Sequence, residues 1–355
     1  MLPSIRLRPR AAPAAAMRWL SPAIAIGLTI ATGAVLFIAS GHEPLHALYV
    51  FFVQPVKDIY GATELLVKAT PLVLCAIGLA FGFKAGVWNI GAEGQLTLGA
   101  ITGGGVALAL YGQAHVFVLP LMLAAGIAGG MLWAAIPAFL KNRFGTNEIL
   151  VSLMLTYVAL LLLSYLVHGP WKDPEGFNFP QSRLFHDAAL LPVLIEGTRL
   201  HAGAAAALAV VAAAWVLLSR TLIGYQIEVT GHAPGAAHYA GFSHQAVVWF
   251  VLLVSGGLAG LAGLFEAAGP MGQLVPAISP GYGFTAIIVA FLGRLHPFGI
   301  LAAGLLMALS FLGGESAQME LAMPSAVTGV FQGLLLFYLL ACDVLINYRI
   351  NLEAA

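Results

Sequence analysis

Trp19-Leu-Ser-Pro-Ala-Ile-Ala-Ile-Gly-Leu-Thr-Ile-Ala-Thr-Gly-Ala-Val-Leu-Phe-Ile-Ala39 runs for 21 residues without a charge. A helix of that length rises about 30 Å, which matches the hydrocarbon thickness of a bilayer. Arg6, Arg8, Arg10 and Arg18 precede it. The run is longer than a signal-peptide core, and no small-x-small cleavage pattern follows it. It therefore reads as a retained first transmembrane helix behind a disordered basic tail, residues 1–18. The remaining sequence has the same character. Of 355 residues, 60% are hydrophobic and only 8% are charged, whereas a soluble domain carries about 25% charged residues. No soluble core of this size buries so much apolar surface, so lipid must be the solvent for much of the chain. A net charge of zero offers no electrostatic footprint for a nucleic-acid partner.

Ten apolar spans can be drawn, at 19–40, 62–83, 96–111, 116–140, 147–167, 201–219, 245–267, 284–294, 298–314 and 325–346. The expected fold is all-α, a polytopic membrane protein of about ten transmembrane helices. The count is eight or nine if the short third or eighth span is re-entrant. One transmembrane domain, 19–346, fills the chain, and 347–355 forms a C-terminal tail. With the N-terminus in the cytoplasm, ten Lys and Arg residues fall inside and five outside, the bias expected of cytoplasmic loops. The C-terminus is then cytoplasmic too. The outer stretch 168–200 holds Gly-Pro, Asp-Pro and Phe-Pro steps and cannot be a long helix. The inner stretch 220–244 is the longest cytoplasmic loop, and neither stretch is long enough to hide a soluble catalytic domain. Small-xxx-small pairs recur at Gly99/Gly103, Gly126/Gly130, Gly256/Gly260 and Gly329/Gly333. Such pairs let helix backbones approach closely in lipid, within one subunit or between two.

His42-Glu43-Pro44-Leu45-His46 matches the zinc-protease pattern H-E-x-x-H. Pro44 fits a helix only in its first turn, no third ligand is evident, and the position is the outer edge of the first span. A solvated loop is the better reading. Cys75 and Cys342 sit in apolar runs and read as small core residues. There is no Gly-Lys step and hence no P-loop, so ATP-driven work would need another polypeptide.

Three segments carry polar chemistry. Phe81-Gly-Phe-Lys-Ala-Gly-Val-Trp-Asn-Ile-Gly-Ala-Glu-Gly-Gln-Leu-Thr97 interrupts two apolar runs with glycines and with Lys84, Asn89, Glu93 and Gln95. Such a break is tolerated at membrane depth only where protein or a water-filled path satisfies it. It is either a plain cytoplasmic turn or a gate near the inner end of a path. A second break, Gly269-Pro-Met-Gly-Gln-Leu-Val-Pro-Ala-Ile-Ser-Pro-Gly-Tyr-Gly283, falls on the opposite face. The third segment is the inner loop, where Pro234 suits a helix's first turn and Gly241 its stop. About two turns of helix between them, with Ala236, Ala237 and Tyr239, make a shape that can sit in a partner's groove. His232, His238 and His244 are six residues apart, which is not helical ligand spacing.

The inner loop, Gly231…Ala236-Ala237…Gly241 followed by a Gly/Ala-rich helix, resembles the coupling loop of ATP-binding-cassette (ABC) permeases of the ribose and branched-chain amino acid group. Gly86-Val-Trp-Asn-Ile-Gly-Ala-Glu-Gly-Gln95, Gly145-Thr-Asn-Glu-Ile-Leu150 and the run from Gly281-Tyr-Gly-Phe to Phe291-Leu-Gly-Arg-Leu-His-Pro-Phe298 resemble its nucleoside-importing branch. The resemblance covers residues 60–345. It implies a multi-pass permease of the cell (inner) membrane with no enzyme activity and no cofactor of its own. Mg-ATP would be bound by a separate cytoplasmic ABC ATPase docked on the loop 220–244, with Gly231, Pro234, Ala236, Ala237, Tyr239 and Gly241 as the docking residues. A second permease subunit, a different chain in this branch, and an extracytoplasmic substrate-binding protein would complete the importer. Transport would proceed by alternating access.

A nucleoside asks for aromatic faces and amide or hydroxyl partners, with no fixed charge. Asn89, Gln95, Asn147 and Gln273 fit that chemistry, and helix-to-helix hydrogen bonding explains each of them equally well. Glu93, Glu148 and Glu266 suit bracing of the helices around the path, with Glu93 and Glu148 also among its candidate lining. A simple sugar such as ribose is the alternative cargo. An ion-coupled secondary transporter is disfavoured by the scarcity of mid-span charges.

Overall fold

The computed structural model describes residues 4–9, 17–113 and 115–353. Thirteen α-helices carry the described chain: α1 (Met17–Ala39), α2 (Pro44–Phe52), α3 (Ile59–Lys84), α4 (Ala92–Ala109), α5 (Val118–Phe144), α6 (Glu148–His168), α7 (Gly203–Arg220), α8 (Leu222–His232), α9 (Pro234–Tyr239), α10 (His244–Glu266), α11 (Tyr282–Leu292), α12 (Pro297–Glu320) and α13 (Ala326–Asn347). All ten apolar runs are helices, namely α1, α3–α7 and α10–α13. Seven of them are long and apolar enough to cross a membrane, and α11 and the described part of α13 are shorter apolar helices. The fold is all-α apart from one isolated bridge and a terminal ribbon, in which β1 (Ser4–Pro9) pairs antiparallel with β2 (Tyr348–Glu353). That ribbon occupies part of the stretch read as a disordered basic tail, while 1–3, 10–16 and 354–355 lie outside the described residues.

The chain divides into two compact units, 1–61 with 309–355, and 62–308. In the first, α1, α2 and α13 meet at an aromatic core of Phe37, Phe51 and Phe331, with Phe51 and Phe331 stacked at 4.5 Å. The stretch around His42 read as a solvated loop is in part helical. Glu43 is the N-cap of α2 and Pro44 its first residue, where the missing N–H costs nothing. Burial of Ala47, Val50 and Phe51 holds α2 down, a packing that the local pattern did not announce.

In the second unit, α3 and α10 are the inner helices, 83% and 72% buried over their apolar windows, against 22–28% for α5, α6 and α7. Helix α4 is buried along most of its length. It crosses α5 and α10 at glycines. A methyl added at Gly260 would fall 3.0 Å from the Gly130 Cα, and one added at Gly130 would fall 2.8 Å from the Gly260 Cα. Gly99 of α4 faces the same Gly260 backbone. Three of the four small-xxx-small pairs are thus spent on packing within the unit. The fourth differs, since an added Cβ at Gly329 or Gly333 of α13 meets nothing within 4 Å. Thr102 ties α4 to α5 through the Ala125 carbonyl at 2.8 Å, and the Trp133 indole donates to Leu155 O of α6 at 3.2 Å.

The stretch 168–200 is irregular save for a short 3-10 turn at Asp187–Ala189. It is pinned where Arg199 donates two hydrogen bonds to the buried Glu64 carboxylate of α3, one at 2.9 Å. Removing one partner of a buried pair leaves the other uncompensated. Because Arg199 is itself half-exposed, Arg199→Ala is expected to cost about 2 kcal/mol rather than the roughly 3–5 kcal/mol of a fully buried pair. Thermal unfolding of the purified protein in detergent checks this, and an unchanged midpoint would show that the pair holds nothing.

Candidate functional site: a polar hub at a broken helix

Helix α3 ends because Gly86 takes a left-handed conformation (φ 73°). The Val87 N–H then reaches Gly82 O at 2.9 Å and the Gly86 N–H reaches Phe83 O at 3.2 Å. This pair of bonds satisfies the last carbonyls of the helix and requires a residue without Cβ at the left-handed position. The chain then runs irregularly to Gly91, the N-cap of α4. Its backbone N–H groups find side-chain partners on α6 instead of a helix ladder. Trp88 N donates to Glu148 Oε1 at 3.3 Å and Ile90 N to Ser152 Oγ at 3.2 Å.

Asn89 is the centre of this segment and is only 1% exposed. Its Nδ2 donates to Gln95 Oε1 at 2.8 Å and to Ser255 Oγ of α10 at 2.9 Å. Its Oδ1 accepts from Gln95 Nε2 at 3.1 Å and from Gly91 N at 3.0 Å. Both donors and both lone pairs of the amide are used, as a buried amide requires. Glu93, 2% exposed, reaches α11 instead. Its Oε2 accepts from Gly283 N at 2.6 Å, and Ser279 donates to the same carboxyl group. Ser279 Oγ in turn accepts from the N–H groups of Gly281 and Tyr282 at 3.1 and 2.9 Å. The carboxyl group therefore sits between the N-termini of α4 and α11, where unpaired N–H groups and helix dipoles favour an acceptor. Those donors supply the hydrogen-bond partners that a buried carboxyl group needs.

Of the six candidate path residues, the structure gathers Asn89, Glu93 and Gln95 into this hub. Glu148 joins them through Trp88 N and is held by Lys141 at 2.6 Å. Asn147 is exposed and caps α6, accepting from Ile149 N at 2.9 Å. Gln273 lies apart, with its Nε2 3.4 Å from Gln181 Oε1 of the stretch 168–200. Glu266 is buried at the end of α10. Sequence reasoning missed Ser152, Ser255 and Ser279, whose only local signal is a hydroxyl in an apolar or Pro/Gly setting. Beside the hub, Trp88 packs on Phe83 and Phe291 with centroids 4.9 and 5.8 Å apart, and it remains 40% exposed.

The stretch 220–244 follows the same logic of caps and stops. Thr221 caps α8 through Gly224 N at 3.3 Å. Pro234 opens α9, and Gly241 stops it with φ 78°. Ala237 is buried, whereas Tyr239 is 96% exposed and Pro234 and Ala236 are also exposed. Gly231, near the end of α8, lies against the backbone of Lys84.

Seven helices of membrane length, packed with a broken helix whose polar hub is satisfied, describe a polytopic membrane protein. The model of the branched-chain amino acid transport system / permease component family matches residues 61–340, and the chain belongs to that family. It is 39% identical over 98% of its length to the glucose ABC transporter permease protein TsgB13 of Haloferax volcanii, covering 94% of that protein. It is 30% identical over 90% of its length to the guanosine ABC transporter permease protein NupP of Bacillus subtilis, covering 92% of it. Among solved structures, an inward-facing putative metal-chelate type ABC transporter superposes with a TM-score of 0.51 at 17% identity, covering 90% of this chain and 99% of that one. That last likeness speaks to the fold alone.

Proposed function

We propose that this chain is the membrane-spanning subunit of an ATP-driven importer of nucleosides. The observation that carries the cargo assignment is the 30% identity to the guanosine permease across 90% of this chain and 92% of that one. The greater identity to the glucose permease favours a second reading, a simple sugar, and a polyhydroxylated ring is common to both. In this reading the protein lies in the cell (inner) membrane with both termini cytoplasmic. The loop 220–244 docks a separate ATPase that binds Mg-ATP, with Gly231, Pro234, Ala236, Ala237, Tyr239 and Gly241 forming or shaping the contact. The exposure of Tyr239 supports this. A second permease chain and an extracytoplasmic binding protein complete the assembly. Asn89, Glu93, Gln95 and Glu148 shape the inner end of the path, and their mutual bonds support bracing more than direct cargo contact. Asn147 and Gln273 remain candidates for lining its two ends.

Uptake of radiolabelled guanosine, adenosine, ribose and glucose by cells with and without this chain tests the proposal, with a strain carrying an inactivated partner ATPase as control. Nucleoside uptake is expected to fall to background in both mutant strains. Uptake that survives ATPase inactivation would contradict the energy source. Loss of sugar uptake alone would replace the cargo.

A further inference from the structure

Two glycines far apart in sequence meet where the inner loop touches the broken helix. A Cβ built on Gly231 would lie 2.9 Å from the Lys84 carbonyl carbon and 3.1 Å from that of Ala85, with the Lys84 oxygen nearer still. A Cβ on Gly86 would lie 3.8 Å from the Gly231 Cα. The end of α8 thus rests on bare backbone at the turn that closes α3. Side chains bend when pushed, whereas backbone resting on backbone passes a displacement on.

What lies beyond that contact is the segment 85–91. At Trp88 and Ile90 it is tied to α6, and at Asn89 to α4 and α10. Glu93, two residues beyond, ties the start of α4 to α11. The segment therefore touches the end of α8 on one side and is bonded to α4, α6 and α10 on the other, with α11 reached through Glu93. Trp88 and Ile90 make their attachments through backbone N–H groups and Asn89 through its side-chain amide, so the segment carries its partners with it when it moves as a unit.

We propose that residues 85–91 receive the stroke of the inner loop and distribute it to α4, α6 and α10, with Gly231 as the contact point and Asn89 as the positioning residue that holds the helices to the moving segment. This rests on the reading of 220–244 as the ATPase-docking loop. Asn89 acts through Gln95 and Ser255, and no contact with cargo is required of it. The alternative is a static brace that merely keeps the helices together.

The two differ in the amount of cargo moved per ATP. The complete complex (this chain, its partner permease, the ATPases and the binding protein) is reconstituted in proteoliposomes. ATP hydrolysis and uptake of radiolabelled guanosine and glucose are measured on the same sample for wild type, Gly231→Ala and Asn89→Ser. Gly329→Ala, on α13 and outside the loop with nothing within 4 Å of an added Cβ, is the control. Asn89→Ser is expected to assemble and to hydrolyse ATP while cargo moved per ATP falls at least tenfold. Gly231→Ala is expected to lower the ratio as well, and Gly329→Ala to keep that of wild type. Hydrolysis and uptake falling in proportion, or a wild-type ratio in all variants, would overturn the proposal in favour of the static brace. Failure of even Gly231→Ala and Asn89→Ser to assemble would overturn it in the same way. A wild-type complex that hydrolyses ATP yet moves neither cargo would instead sink the importer reading, and this proposal would fall with it.

Discussion

Glu93→Ala is expected to destabilise the protein by roughly 3 kcal/mol and to lower its thermal midpoint in detergent by several degrees. Deleting the carboxyl group removes the acceptor for Gly283 N–H and for Ser279. Each buried donor left unmet costs about 1–3 kcal/mol, and a cavity remains at a site where the chain is 2% exposed. Water cannot enter readily to repair the loss, because Gly283 packs directly against the backbone of Ala92 and Glu93. Glu93→Gln keeps one acceptor oxygen and should recover about half of the loss. If Glu93→Ala melts with wild type, the carboxyl group is not the link between α4 and α11 that its geometry describes.

Gly260→Val is expected to prevent accumulation of folded protein, a penalty above about 3 kcal/mol. Overpacking a core commonly costs about 1–3 kcal/mol because side chains give way. At Gly260 the neighbours are the backbones of Gly126 and Gly130, which cannot yield without separating α5 from α10. Gly329→Val is the matched comparison. It has the same spacing motif, yet nothing lies within 4 Å of the added Cβ, so its effect should stay within about 0.5 kcal/mol. Expression and monodispersity of the two variants side by side decide the matter. Equal yields would mean that the close approach of the three helices is not required for folding.

These two positions also show what was legible in the chain before its structure. The ten apolar runs became ten helices because length and hydropathy suffice to define a membrane span. The inner helix α9 was readable from Pro234 and Gly241, since each residue is restricted to or suited for its end of a helix. The partners of Glu93 were not readable. Gly283 is 190 residues away and contributes only a backbone N–H, which leaves no mark in a sequence. The break at 85–91 was visible as a break, and its glycines and polar residues were the signal. That signal could not distinguish a water-lined path from a sealed hub, because both need the same residue types. Only the reciprocal amide pairing of Asn89 with Gln95 tells them apart. Asn147 and Gln273 drew notice for the same chemistry and lie elsewhere, one capping α6 and the other near Gln181 of the stretch 168–200. Helices α2 and α8 were not drawn as helices, since each is short and owes its place to burial of residues such as Phe51 and Ile227 against the rest of its unit.

The most direct measurement is ATP-dependent accumulation of radiolabelled guanosine in proteoliposomes holding this chain with its partner permease and ATPases, supplied with the binding protein. Accumulation against a gradient that needs ATP and stops when this chain is omitted is the expected result. Accumulation driven by an ion gradient in the absence of ATP, or ATP-driven complexes that leave guanosine outside and take up glucose, would contradict it.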